Sequence, residues 1–139
     1  MSLSKTPLLL HAILEALASL SFTLNPSAQL PSTATDVEAR LILRSYGGLL
    51  LSTSILCGGF YLRPGFDGAT RLVAGSMAVY HLFPIARAWS RLRGEGREKG
   101  KEKGEDGKKV LGGPGVHLAV HLVVLGGLVG SVIWGRDGL

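Results

Sequence analysis

The chain has 139 residues and a net charge of +5, and it is 46% hydrophobic but only 18% charged. This length allows no more than one ordinary domain, and the single cysteine, Cys57, excludes an intramolecular disulfide. No glycine-rich nucleotide loop, Rossmann fingerprint or Ser-His-Asp order is present, so nucleotide-dependent and serine-hydrolase chemistry have no sequence signal. The positive charge is concentrated in one segment and gives no support for nucleic-acid binding.

The first apolar stretch, residues 7–24, is long enough to cross a hydrocarbon core as a helix. A secretory signal peptide is the alternative, because Lys5 precedes the stretch and small residues follow it. His11 and Glu15 inside the apolar core argue against that alternative, and we expect a retained helix. Asn25 and the proline after it end this helix, and a polar linker follows.

Three further apolar stretches, residues 36–62, 69–89 and 116–134, complete the predicted spans. Pro84 is expected to kink the third. Residues 94–109 are charged and glycine-rich, a composition that buries no core, so they are predicted to form an exposed flexible loop. The fold class that follows is all-α: an integral-membrane four-helix bundle in which residues 1–139 form one membrane domain.

The orientation follows from the lysines and arginines near the span ends, since cytoplasmic loops carry an excess of both. Residues 87–109 contain nine of them. We therefore expect loop 94–109 to be cytoplasmic and, with four spans, both termini to be lumenal. The protein is expected to be a multi-pass protein of the endoplasmic reticulum membrane.

Ionisable residues lie inside the apolar stretches, where a plain membrane anchor would have none. A centrally placed charge costs about 2.5–3.5 kcal/mol on insertion scales, so such residues mark functional sites by default. The predicted catalytic residues are Glu15, Asp36, Arg44, His81 and His121. The predicted substrate-binding residues are Arg40, Tyr46, Tyr80 and His117.

The depth of these residues predicts where they meet. His81 lies past the middle of the third span, and His117 and His121 occupy the first two turns of the fourth, so all three fall in the cytoplasmic half. Glu15 is near the middle of the first span, and His11 is the one residue expected on the outer side. We infer a cavity open to the cytoplasmic leaflet with Glu15 near its floor.

Helical spacing adds a second argument. At 100° per residue, Asp36, Arg40 and Arg44 share one stripe, as do the pairs His117–His121 and His11–Glu15. Structural roles are the alternatives. Glu38 matches a capping box with Thr35, and Asp36 is favourable at any helix N-terminus. The Arg40 side chain can extend to the lipid headgroups. The histidines and tyrosines can simply pack in the bundle.

A metal site is a further interpretation of the histidines. His117 and His121 have the spacing of two zinc ligands, and His81 can supply a third. The sequence contains neither an H-E-x-x-H motif nor a cysteine cluster. We therefore predict no metal and no other cofactor.

Carboxylates beside arginines and histidines in a dry cavity suit acid–base chemistry on an apolar small molecule. One group activates water while another stabilises or protonates an oxygen that becomes negative. Epoxide opening needs this pairing, and so do lactone hydrolysis, double-bond isomerisation and cyclisation.

The chain has about 140 residues with four predicted spans, and residues 38–48 form the segment E-A-R-x-x-x-R-S-Y-G-G. In these features it resembles small integral-membrane proteins of fungal secondary-metabolite pathways. Among these the chain is most similar to the membrane epoxide hydrolases of polyene polyketide pathways. The resemblance covers the whole chain in outline and implies cofactor-free hydrolysis of a polyketide epoxide. It transfers no individual functional residue.

Two other functions stay open from the sequence. A non-enzymatic four-span scaffold would gather membrane enzymes, like the ergosterol-pathway tethering protein, and would tolerate loss of Glu15. A proton-coupled carrier would need ionisable groups accessible from both sides. The expected partners are an apolar substrate and the lipid bilayer, with other membrane enzymes of a pathway and a second copy of the chain left open.

Overall fold

The computed structural model describes residues 3–30, 37–98 and 113–136, and these ranges are all-helical with no strand. The prediction of an all-α chain with four long helices is confirmed. They are α1 (Thr6–Leu24), α2 (Val37–Leu62), α3 (Gly68–Glu98) and α4 (Gly113–Trp134), with short 3-10 turns at Leu3–Lys5 and Pro26–Gln29.

Three segments are long and apolar enough to cross a membrane: Leu3–Leu24, Val37–Leu62 and Gly113–Trp134. The helix α3 is not among them, although its first part corresponds to the third predicted span. The prediction of four membrane-crossing helices is therefore supported for three.

The helix α3 also differs from its predicted length. It continues through Pro84 to Glu98, so residues 94–98, predicted as flexible loop, are helical. The arginine and the two glutamates of residues 94–98 are good helix formers and outweigh the two glycines. Residues 99–109 of the predicted loop lie outside the described part of the chain.

The helices form two antiparallel hairpins. The helix α1 packs mainly on α2, and α3 packs mainly on α4, whereas α2 and α3 make few contacts with each other. In the first hairpin the hydroxyl of Ser54 donates to the carbonyl of Ala12 over 2.6 Å. The buried apolar residues at the centre are small or aliphatic: Leu8, Ala12, Cys57, Ala74, Ala78, Val124 and Leu128.

Cations close one end of the bundle by binding carbonyls at helix C-termini. The Lys5 ammonium is buried and donates to the carbonyls of Tyr61 and Arg63, at the end of α2. The Arg71 guanidinium donates to the last turn of α4 and, over 2.7 Å, to the carbonyl of Gly135. Both cations satisfy acceptors that a helix leaves unpaired and complement the negative end of its dipole.

Asp67 caps the start of α3 at the same end. Its Oδ1 accepts hydrogen bonds from the backbone N–H of Thr70, over 2.8 Å, and from the Thr70 hydroxyl, over 2.7 Å, and its Oδ2 pairs with Arg63. The hydrogen bonds from Thr70 and the nearby Arg63 charge hold the pKa of Asp67 below its usual value. The turn between α2 and α3 is thereby fixed by a capping carboxylate.

Two adjacent glycines of α2 test the packing of the first hairpin. A β-carbon at Gly47 would lie 2.5 Å from Thr23 Oγ1 and 3.2 Å from the carbonyl oxygen of Ser19, both on α1. We expect Gly47→Ala to lower the free energy of unfolding by about 1–3 kcal/mol, because overpacking forces the helices apart. Denaturant titration in detergent, followed by circular dichroism, measures this loss.

Gly48→Ala is the matched control. No atom lies within 4 Å of a β-carbon at this position. Alanine is a better helix former than glycine, so we expect a gain of up to about 1 kcal/mol. Equal losses from the two substitutions would contradict the close approach of α1 and α2 at Gly47.

Candidate active site: a histidine line beside a buried carboxyl

All four histidines of the chain are joined by hydrogen bonds between ring nitrogens. His117 Nε2 lies 3.1 Å from His121 Nε2, and His121 Nδ1 lies 2.7 Å from His81 Nδ1. His81 Nε2 in turn lies 2.9 Å from His11 Nδ1. We call these four residues the histidine line.

The line begins at the surface and ends in the interior. His117 is exposed, His121 is 8% exposed, and His81 and His11 are fully buried. His117 and His121 are one turn apart on α4, which places them on one face as their spacing predicts. The packing of α4 on α3 brings His81 to them, and α1 supplies His11.

A second group of polar residues lies beside the inner end of the line. The Tyr80 hydroxyl donates to Glu15 Oε2 over 3.2 Å and lies 3.1 Å from the Tyr46 hydroxyl. A hydroxyl has one proton, so the Tyr46 hydroxyl donates to the Tyr80 oxygen while Tyr80 donates to Glu15. Glu15 is 3% exposed, and both tyrosines are half-buried.

His11 connects the two groups. It lies one turn before Glu15 on α1, and its ring meets the Tyr80 ring edge-on at a centroid distance of 5.8 Å. Its second nitrogen, Nε2, is buried and has no hydrogen-bond partner among the described residues. An unmade hydrogen bond of this kind costs about 1–3 kcal/mol, which marks the position as a place for a ligand, a water or a transferable proton.

The same residues have the composition of a metal site. His11, Glu15 and His81 each offer an atom, and these atoms lie within 4.8 Å of one another. Both ring nitrogens of His81 already bond to other histidines. A metal on His81 therefore has to break the histidine line. This set also differs from the one weighed from sequence, in which His117 and His121 were the paired ligands.

The structure brings together six of the predicted site residues. These are Glu15, Tyr46, Tyr80, His81, His117 and His121. It does not bring Arg44 to them: Arg44 is exposed. Arg40 is half-buried near the start of α2, and Asp36 lies outside the described residues, as does Thr35 of the predicted capping box.

The exposure of Arg44 has a geometric cause. The buried residues of α2 are Gly47, Leu50, Ser54 and Cys57. At 100° per residue, Arg44 lies roughly 100° away from the centre of that stripe. Its charge therefore stays outside the bundle, and the predicted convergence of guanidinium groups on the cavity is wrong for this residue.

The placement of His11 on the outer side, apart from the other polar residues, is also wrong. Pro7, at the start of α1, packs against Gly127 in the interior of α4, so α1 begins deeper in the bundle than its sequence position suggests. His11 is thus level with His81. The spacing of His11 and Glu15 on one helical face was the sequence signal for its role.

No protein-family model matches the chain, and comparisons with characterised proteins and with solved structures also found no match. The geometry described above is therefore the basis for assigning a function.

The middle of the histidine line is expected to matter most for stability. His81→Leu leaves His11 Nδ1 and His121 Nδ1 buried without partners, and we expect it to lower the free energy of unfolding by about 2–5 kcal/mol. His117→Leu removes one bond at an exposed position, where water can replace the lost partner, and is expected to cost less than about 1 kcal/mol. Denaturant titration in detergent compares the two variants. Similar losses would contradict the burial gradient along the line.

Proposed function

We propose that the protein is a multi-pass protein of the endoplasmic reticulum membrane, with its four helices bundled in the bilayer. Three helices have the length and apolar character that this requires. Large aliphatic side chains are exposed around the bundle, among them Ile13, Leu17, Ile55 and Val123. The hydrogen-bonded polar residues face inward, which is the arrangement expected in lipid.

The proposed topology has residues 94–109 in the cytoplasm and both termini in the lumen, because nine lysines and arginines lie in residues 87–109. Cys57 is buried and is the only cysteine, so Cys57→Ser gives a background without thiols. We expect a cysteine placed at Gly104 in that background to react with an impermeant maleimide in sealed microsomes, whose cytoplasmic face is outward. Labelling only after the membrane is opened would reverse the topology.

We further propose that the bundle interior carries out acid–base catalysis on an apolar small molecule, with epoxide hydrolysis as the reaction. One observation carries this proposal: a buried carboxyl, Glu15, lies beside a buried imidazole, His11, whose Nε2 has no partner. An uncharged carboxylic acid and an uncharged imidazole are the forms that cost least to bury. One ring nitrogen of His11 lies within 4.8 Å of a Glu15 carboxyl oxygen, so the two side chains place an acid next to a base.

The roles in epoxide opening follow from this pair. His11 Nε2 takes a proton from a water molecule as the water oxygen bonds to a ring carbon. The carbon–oxygen bond of the epoxide breaks, and its oxygen takes the proton of the Glu15 carboxyl. The Tyr80 hydroxyl holds the carboxyl in place, and the Tyr46 hydroxyl, once the substrate has displaced it from Tyr80, can donate to the oxygen that becomes negative. The product is a diol, and no cofactor is required.

The proposed route for an apolar substrate lies between α2 and α3, which make few contacts with each other. Tyr46 projects from α2 and Tyr80 from α3, and both are half-buried at this seam. A substrate dissolved in the bilayer reaches Glu15 by displacing the contact between the two tyrosines. Entry along this seam would bring an apolar molecule from the bilayer directly to the carboxyl.

The structure offers less support for a carrier. Lys5 and Arg71 at the opposite end of the bundle are bound to helix carbonyls. Leu8, Val124 and Leu128 are buried in the apolar core that separates this end from the histidine line. This apolar core interrupts the continuous path of ionisable groups that a proton-coupled carrier needs.

Replacement of the carboxyl tests the catalytic proposal. We expect Glu15→Gln to reduce turnover of a polyene epoxide by about 10²–10⁴-fold, because the amide keeps the size of the side chain but cannot give up a proton in the same way. Detergent-purified protein is incubated with candidate epoxides, and products are measured by mass spectrometry. In H₂¹⁸O the diol is expected to gain one labelled oxygen.

Glu38→Gln is the control, since it makes the same change near the start of α2, where glutamine also satisfies a capping box. Asp36→Asn tests in the same assay the sequence-based assignment of Asp36. Unlabelled product would identify an isomerase or cyclase. Wild-type turnover by Glu15→Gln would eliminate the proposed acid, and inactivity of the wild-type protein toward every apolar epoxide would favour the scaffold.

A further inference from the structure

We propose that the histidine line is a proton relay, which carries protons between water at His117 and the buried Nε2 of His11. The hydrogen-bonded chain of imidazoles is independent of any substrate, whereas its use in catalysis rests on the function proposed above. It assigns roles to His117 and His121 that the reaction at Glu15 does not itself require.

The hydrogen bonds of the line must all run in the same direction. A neutral imidazole has one N–H donor and one acceptor nitrogen. His81 and His121 each use both ring nitrogens within the line, so each donates on one side and accepts on the other. The direction chosen at one ring therefore fixes the direction at the next.

Two states of the line satisfy this condition. In the first, His11 Nδ1–H donates to His81 Nε2, His81 Nδ1–H to His121 Nδ1, and His121 Nε2–H to His117 Nε2. His11 Nε2 is then an acceptor with a free lone pair. In the second state every bond is reversed, and His11 Nε2 carries a hydrogen. The distances of 2.7–3.1 Å suit both states.

Transfer of one proton converts the first state into the second. His11 Nε2 gains a proton and passes the proton of its Nδ1 to His81. His81 passes its own proton to His121, and His121 passes its own to His117. His117 releases the proton of its Nδ1 to water. Each ring gains and loses one proton, so the four imidazoles stay neutral. The reverse passage brings a proton in.

Hydrolysis would use one passage in each direction. The water that attacks the epoxide leaves a proton on His11 Nε2, and the relay releases one proton at His117. A proton then enters at His117 and passes from His11 Nε2 to the Glu15 carboxylate, which has given its own proton to the product. The line returns to its first state without rotation of any ring.

The relay opens toward one side only. Its outer end is His117, which is exposed and lies within electrostatic range of Arg87 and Arg91. Beyond His11 lie the apolar residues of the core, including Leu8 and Leu128. The titratable groups that face the inner end are Glu15 and Tyr80, with Tyr46 behind Tyr80. The line therefore connects one face of the bundle to its interior and does not cross the bundle.

Nuclear magnetic resonance of the histidine rings tests the relay without a substrate. The chain has only four histidines, so ¹³C,¹⁵N-histidine labelling in lipid nanodiscs gives four ring spin systems. We expect nitrogen–nitrogen couplings across the three hydrogen bonds. We also expect His117→Leu to slow solvent exchange of the interior ring N–H protons by about tenfold or more, because exchange then requires local opening of the bundle.

Val116→Leu is the matched control, since it places the same side chain at the adjacent exposed position of α4. It is expected to leave the exchange rates unchanged. Exchange that is equally fast in His117→Leu would overturn the relay. So would binding of one added Zn²⁺ per chain with loss of the ring couplings between His11 and His81, which would identify a metal centre.

The ring-exchange and turnover measurements distinguish a failure of the relay from a failure of the proposed enzymatic function. A protein that turns over an epoxide but lacks coupled ring exchange would retain the proposed function and lose the relay. A protein with coupled exchange and no turnover of any epoxide would retain the relay and lose the proposed reaction.

Discussion

The hydrogen bond between His11 and His81 joins the two helical hairpins of this protein. Within the first hairpin, the lack of a side chain at Gly47 lets α1 and α2 approach closely. Between the hairpins, side-chain hydrogen bonds join α1 or α2 to α3 at His11–His81, Glu15–Tyr80 and Tyr46–Tyr80. A buried polar group without a partner is costly, and more so where water is excluded. The hairpins therefore have a defined register, in which these partners meet.

In the part of the chain that the structure describes, a charged side chain is buried at one end of the bundle and not at the other. This difference determines the end at which the histidine line reaches the surface. At one end Lys5 and Arg71 bind helix carbonyls, and the apolar core lies beneath them. Toward the other end the core gives way to uncharged polar rings, which continue to the exposed His117. A chain of neutral donors and acceptors can be buried at far lower cost than isolated charges. This is why histidines and tyrosines, and not arginines, occupy the interior.

The sequence predicted the helices well because apolar length is a strong local signal, and it predicted the pairing of His117 with His121 because i, i+4 spacing fixes a common face. It failed for His11 and Arg44. Periodicity states which residues of one helix share a face, but it does not state how deep the helix begins or which face a neighbour covers. Those depend on contacts such as Pro7 with Gly127, which are remote in sequence. The end of α3 was missed because a glycine-rich, charged segment lacks the apolar pattern on which the span was based.

An active site enclosed by lipid has to exchange protons with water, although its substrate arrives from the bilayer. The two requirements conflict if one opening serves both, because water admitted with the substrate weakens the electrostatic effect of every polar group inside. In the enzyme proposed above they are separated. In the proposed membrane arrangement the seam between α2 and α3, marked by Tyr46 and Tyr80, would face the surrounding lipid, whereas the histidine line leaves along α3 and α4 toward His117. Glu15 lies where the two meet, so it can be reached by an apolar molecule on one side and by protons on the other.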